Sequence, residues 1–102
     1  MTIKKQYLKS KPLCKVTFRI PKDAAGHARK GSVVGDFNAW DKGANPLKNL
    51  KNGEFTATVT LEINKEYQFR YVLDQDQWIN DDAADKYVKS HFGNCDNSVV
   101  VI

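Results

Sequence analysis

Two tryptophans, Trp40 after residues 35–39 and Trp78 after the polar turn at 74–77, are the side chains whose placement could do chemistry. A tryptophan in a loop can close a hydrophobic core as a lid, and the usual burial of large rings favours that role. The flat ring can instead be a platform for a sugar, whose axial C–H groups pack on an aromatic plane. The residues thus predict either a lid or a glucan-binding site. The polar side chains that would bind the sugar hydroxyls are Asn38, Arg70, Asp96 and Asn97.

Patterns typical of enzymes are missing from the sequence. It contains no Gly-x-Ser-x-Gly elbow, no phosphate-binding glycine loop and no His-Glu-x-x-His motif. His27 and His91 lie in predicted loops, and we expect both at the surface. Glycoside hydrolysis needs two carboxylates about 5–9.5 Å apart across a cleft, whereas the aspartates at 74–85 lie in predicted turns, where they bind backbone. We expect no enzyme activity, no catalytic residue and no cofactor.

The two cysteines predict neither a metal site nor a cross-link. Cys14 and Cys95 form no Cys-x-x-Cys pair. The sequence has no run of about 18 apolar residues and no signal peptide, so we expect a soluble, cytoplasmic protein without a membrane partner. In a reducing cytosol both cysteines are expected to be free thiols.

Charge is distributed unevenly along the 102 residues, a length typical of one domain. Residues 1–50 hold 11 Lys or Arg against three Asp, and residues 51–102 hold five against nine Asp or Glu. A nucleic-acid-binding domain more often has a continuous basic stripe threaded with aromatics. We interpret the basic excess as a solvated face and expect no specific nucleic-acid partner, with a weak attraction to polyanions as the alternative.

The elements that must position the tryptophans are strands. Apolar and polar residues alternate strictly over residues 14–20, 54–61 and 66–73, which places one face of each strand on a core. Shorter β signals lie at 32–35, 78–79 and 98–102, whereas 21–30 and 81–89 are predicted to be loops with a helical tendency. The pattern predicts an all-β, immunoglobulin-like antiparallel sandwich of about six to eight short strands over residues 12–102. Residues 1–11 are predicted to be a flexible basic arm.

Four sequence elements together resemble a known family. They are the stretch Gly-Asp-Phe-Asn-Ala-Trp at 35–40, the aromatic strand at 67–74, Trp78, and the Gly-x-x-x-Asn turn into a valine strand at 92–101. In order and spacing these elements resemble the isoamylase N-terminal-like early-set module. This glycogen-binding module occurs in β subunits of AMP-activated kinase and beside the barrels of glycogen branching and debranching enzymes. The resemblance extends over residues 14–102.

The resemblance implies an early-set sandwich that binds α-1,4-linked glucan on one face. Trp40 and Trp78 would be the stacking platforms, and Asn97 would contact sugar. Arg70 stands at a position where kinase-type modules have a sugar-contacting lysine, so the charge is kept and the geometry changed.

The resemblance also implies three contacts with altered residues. Phe92 stands where the kinase-type modules have a leucine that inserts against the glucan, and Asn94 stands at a threonine position. Asp96 replaces a sugar-contacting asparagine, and an ionised aspartate can only accept hydrogen bonds.

Two functions from different classes fit these residues. One is a module that binds glycogen, starch or maltooligosaccharide. The other is an interaction or structural domain that docks a glycogen-metabolism enzyme without binding sugar, because the fold alone does not decide function. A piece of a larger amylase-type enzyme is a third reading, against which we weigh Met1 and the strand that ends at Ile102. Exposure of both indole rings on one face would favour glucan binding.

Overall fold

The computed structural model describes residues 1–74, 76–91 and 95–102, whose strands form two antiparallel sheets. The first sheet, sheet A, has the order β1-β2-β5-β4. Its strands are β1 (Thr2–Tyr7), β2 (Leu13–Ile20), β4 (Lys48–Asn49) and β5 (Phe55–Glu62).

The second sheet, sheet B, has the order β3-β6-β9-β8. Its strands are β3 (Gly31–Gly35), β6 (Glu66–Leu73), β7 (Gln77–Ile79), β8 (Lys86–Lys89) and β9 (Asp96–Val101). The strand β7 pairs with the last part of β6, on the same edge of β6 as β9. This arrangement confirms the predicted all-β, immunoglobulin-like sandwich.

The core lies between the inner faces of the two sheets. The ring of Phe18 on β2 packs 5.0 Å from that of Phe69 on β6, centroid to centroid, and 6.2 Å from that of Tyr71. All three rings are fully buried. The alternation that predicted these strands therefore has its expected physical cause, since each apolar position faces the opposite sheet.

Residues 2–7 form a strand, although the sequence predicts a flexible basic arm over residues 1–11. The strand β1 pairs with β2 along its length, with Ile3 opposite Phe18 and packed against the core. The side chain of Lys5 reaches across to Asp85 at 2.7 Å and to the carbonyl oxygen of Val101 at 2.8 Å. Because lysines occupy two of its six positions, the composition of this edge strand resembles that of a solvated arm.

The segment 81–89, predicted to be a loop with a helical tendency, ends in the edge strand β8. Lys86 and Lys89 lie at its two ends, opposite Val99 and Asp96 on β9. In the part of the chain that the structure describes, α1 (Lys22–Ala25) is the one α-helix and is followed by a 3₁₀ turn at Asp36–Asn38. None of the described helices is long and apolar enough to cross a membrane.

Candidate functional site

The outer face of sheet B carries a row of polar side chains that β6 and β9 position. Because Phe69 and Tyr71 point into the core, the alternate residues Gln68 and Arg70 point outward. Arg70 Nε donates a hydrogen bond to Asn97 Oδ1 at 2.7 Å, and Asn97 Nδ2 donates one to Gln68 Oε1 at 3.0 Å. Each side chain therefore fixes the orientation of the next.

Trp78 lies beside this row on the short strand β7. It stands opposite Val72 of β6, and its side chain remains 41% exposed. The guanidinium carbon of Arg70 is 5.9 Å from the centroid of the Trp78 ring, and Lys42 Nζ is 5.5 Å from it. Cations at such distances are attracted to an indole ring. Trp78 is thus held at the surface and does not act as a lid on the core.

Trp40 is positioned by a tight turn built around Asn38. Asn38 Oδ1 accepts the N–H of Gly35 at 3.0 Å, and Asn38 Nδ2 donates to the carbonyl oxygen of Val33 at 3.0 Å. Ala39 and Trp40 then take left-handed φ values of 55° and 59°, so the chain reverses sharply. Asn38, which the sequence analysis treats as a possible sugar contact, builds this turn instead.

Asp36 connects Trp40 to the polar row. Its Oδ1 accepts the indole N–H of Trp40 at 3.3 Å, and its Oδ2 accepts the backbone N–H of Gln68 at 2.8 Å. The Trp40 ring is half-buried and lies outside the hydrophobic core cluster. The carboxylate therefore orients the second tryptophan toward the same face as the first.

The two tryptophans and the polar row line one open groove of about 610 Å³. Trp40, Trp78, Arg70 and Asn97, all proposed from the sequence, meet in it. Further lining residues are Asp36, Gln68, Ser90, His91 and Cys95. A groove with two flat rings and both donors and acceptors suits a neutral, hydroxyl-rich ligand.

Of the three other residues proposed from the sequence, Asp96 is described by the structure and does not line the groove. Asp96 precedes Asn97 on β9, and strand alternation places its side chain on the opposite side of the strand. It is exposed and stands opposite Lys89 at the edge of the sheet. Phe92 and Asn94 lie outside the residues that the structure describes.

Several lining residues were not predicted from the sequence, although the strand pattern indicates one of them. Gln68 belongs to the same polar phase of its strand as Arg70, so alternation alone predicts that both face the same way. No local signal marks His91 or Cys95, which line the groove and lie between β8 and β9 in the sequence. Cys14 is buried and Cys95 is exposed, and Arg70 Nη2 donates a hydrogen bond to Cys95 Sγ.

A buried carboxylate lies beneath the site and anchors the segment after β7. Asp81 is fully buried; its Oδ2 accepts the hydroxyl of Tyr71 at 2.5 Å, and its Oδ1 accepts the N–H of Ala83 at 2.7 Å. Its backbone N–H donates to Ser98 Oγ at 2.9 Å. Burial raises the pKa of Asp81, although the hydrogen bonds from Tyr71 and Ala83 oppose that shift. Burial and the nearby Asp81 charge likewise raise the pKa of Tyr71.

The described residues hold no cluster of histidine, cysteine and carboxylate side chains that could bind a metal ion. A comparison with family models matches residues 23–88, more than half of the chain, to carbohydrate-binding module 48, the isoamylase N-terminal domain. The chain belongs to this family. The matched segment includes Trp40, Arg70 and Trp78 and ends before Asn97. A search of curated proteins gives no match.

Proposed function

We propose that this chain is a non-catalytic module that binds α-1,4-linked glucan, such as glycogen, starch or maltooligosaccharide, in the groove on sheet B. The observation that carries the proposal is the pair of indole rings in one groove, with Trp78 41% exposed. Its membership of a carbohydrate-binding family supports the general class of ligand. The α-1,4 linkage is what the family resemblance implies, and the stacking is our inference from the two rings.

Trp78 is expected to contribute most of the affinity. A buried aromatic ring removes about 150–250 Å² from water. With 41% of Trp78 exposed, stacking would bury at most about 60–100 Å² more and contribute at most about 1.5–2.5 kcal/mol. Trp78→Ala should then weaken binding by about 10-fold, and by no more than about 70-fold. A shallow groove also predicts weak binding overall, because little area offsets the cost of association.

The polar row supplies the directional contacts. Arg70 and Asn97 are already joined by a 2.7 Å hydrogen bond, so little side-chain freedom would be lost when a sugar hydroxyl binds them. A charged donor such as a guanidinium forms stronger hydrogen bonds than a neutral one. The rings would therefore set affinity, and the Arg70–Asn97 pair would set the orientation of the sugar.

The test is a titration with maltoheptaose, followed by tryptophan fluorescence and by calorimetry, on wild type, Trp40→Ala and Trp78→Ala. Tyr7→Ala is the matched control, because Tyr7 is a 53% exposed aromatic on β1 of sheet A and does not line the groove. Cellohexaose, a β-1,4-linked glucan, tests the linkage. We expect saturable maltoheptaose binding that both tryptophan variants weaken and the control retains.

Two results would contradict the proposal. Equal binding of maltoheptaose and cellohexaose would remove the α-1,4 preference. No binding of either sugar at millimolar concentration by folded protein would favour the alternative, in which the same face docks a protein partner.

A further inference from the structure

A second groove of about 620 Å³ lies on the outer face of sheet B. Its floor includes Val72 of β6 and Ser32 of β3, which stand opposite each other in the sheet. Its walls carry four charged residues, Lys30, Lys42, Asp74 and Asp76. This groove has no part in the function proposed for the first groove.

The two grooves are consecutive along β6. Arg70 lines the first groove, and Val72, the next outward-facing residue of the strand, lines the second. Val72 stands opposite Trp78 of the first groove, and Lys42 of the second approaches the Trp78 ring to 5.5 Å. The Trp78–Lys42 pair therefore forms the boundary between the two grooves. From Gln68 to Val72 the strand rises by about 13 Å, so an extended ligand would lie along both grooves.

The charges of the second groove favour a neutral polar ligand. Two lysines and two aspartates leave no net charge among the four wall residues, so neither a phosphate nor a metal cation is favoured. Carboxylates accept hydrogen bonds and ammonium groups donate them, as a row of sugar hydroxyls requires.

The wall is also held in place by hydrogen bonds within the protein. Asp74 Oδ1 accepts the backbone N–H groups of Arg29 and Lys30 at 2.9 and 3.2 Å. The N–H of Asp74 donates in turn to the carbonyl oxygen of Lys30 at 2.9 Å. Ser32 Oγ donates to the carbonyl oxygen of Lys42 at 2.5 Å. These bonds fix the Asp74 side chain and the backbone at Lys30 and Lys42, so this part of the wall would lose little freedom on binding a ligand.

We infer that the second groove extends the first and takes the glucan chain past Trp78, so that the module selects longer chains over short ones. This inference rests on the proposed function of the first groove. It assigns to Lys30 and Asp76 a role in chain-length preference that the binding of a short oligosaccharide does not require.

The experiment compares maltotriose with maltoheptaose by following the indole N–H resonances of ¹⁵N-labelled protein. The variant is Lys30→Met with Asp76→Asn, which leaves the net charge of the protein unchanged. Its matched control is Lys15→Met with Glu62→Gln on sheet A, which also leaves the net charge unchanged. Statistics alone favour the heptasaccharide by about fivefold, since it contains several overlapping trisaccharide segments. Contacts in a second groove should raise the ratio of the maltoheptaose affinity to the maltotriose affinity in wild type to about 25-fold.

The expected result is that the Lys30/Asp76 variant returns to a ratio of about fivefold and binds maltotriose as wild type does, while the control keeps the wild-type ratio. An unchanged ratio in the variant would overturn the inference and leave the proposed function standing. An equal loss of affinity for both sugars in the variant would also overturn the inference and leave the proposed function standing. If wild type binds neither sugar, the proposed function and the inference fail together.

Discussion

Tyr71→Phe is expected to destabilise the protein to an extent that depends on pH. The Tyr71 hydroxyl donates to the buried carboxylate of Asp81, and the substitution removes this donor without changing the packing of the ring. The carboxylate then keeps the N–H of Ala83 as its described hydrogen-bond donor. A charged group that is buried with fewer hydrogen bonds is costly, so the folded state loses free energy relative to the unfolded one.

The size of the effect follows from the charge of the acceptor. A hydrogen bond to a charged group contributes about 1.5–3 kcal/mol, and a neutral one about 1 kcal/mol. We therefore expect Tyr71→Phe to lower the free energy of unfolding by about 2 kcal/mol at neutral pH. For a domain of 102 residues this corresponds to a fall in Tm of about 8–16 °C, which leaves the variant folded.

The sign of the pH dependence follows from the raised pKa of Asp81. The folded state binds the proton more tightly than the unfolded state, whose ordinary pKa is 3.8. The stabilising contribution of this group is fully present below that value and is lost as pH rises through the folded pKa. Because the Tyr71 hydrogen bond favours the charged form, its removal raises the folded pKa further. The cost of Tyr71→Phe should therefore be greater at neutral pH than in acid.

The assay is urea unfolding, followed by tryptophan fluorescence, at about pH 4.5 and about pH 7.5. Tyr87→Phe is the matched control, because the Tyr87 hydroxyl donates at 2.5 Å to the backbone carbonyl oxygen of Asp81, which does not titrate. Its cost, about 1 kcal/mol, should be the same at both pH values. A Tyr71→Phe cost that is equal at both pH values, or larger in acid, would refute the reasoning.

Two further predictions concern the groove. Gly35→Ala should lower the free energy of unfolding, measured by thermal unfolding, by about 2 kcal/mol, because a Cβ at Gly35 would overlap the carbonyl oxygen of Gln68. Gly43→Ala is the control and should change it little, because the nearest neighbour of a Cβ there lies at 3.5 Å. Equal effects of the two substitutions would contradict this prediction. Saturating maltoheptaose should slow the alkylation of Cys95 measured by mass spectrometry, because that thiol lines the groove, whereas fully buried Cys14 should react only on unfolding. An unchanged Cys95 rate at saturation would exclude sugar from this groove.

The sequence predicts the central strands well and the edge strands poorly. Strands such as β2 and β6 pack one face on the core, so burial imposes a strict alternation that can be recognised in the residues. The edge strands β1 and β8 pack less of their surface and carry lysines, which protect an edge from pairing with another chain. Their composition therefore indicates arm or loop, and tertiary pairing decides otherwise.

In the site, the sequence predicts the types of the binding residues better than their orientation. Family resemblance supplies residue types, and it points to Trp40, Trp78, Arg70 and Asn97, which meet in one groove. It does not tell which side of a strand each residue faces, and Asp96 falls on the wrong side of β9 for that reason. The loop residues that complete the groove are brought there by tertiary contacts that no local pattern encodes.

The two faces of strand β6 have different roles: residues on its inner face stabilise the fold, and residues on its outer face line the groove. Tyr71 on its inner face holds the buried Asp81, and Arg70 on its outer face holds Asn97 in the groove. The two residues are adjacent in sequence, yet they act on opposite sides of one sheet. A substitution at Tyr71 should therefore change the free energy of unfolding, and one at Arg70 should change sugar affinity at nearly constant stability. The outer face of a strand whose inner face already specifies the fold is free to acquire a binding site, and this sheet places two grooves there.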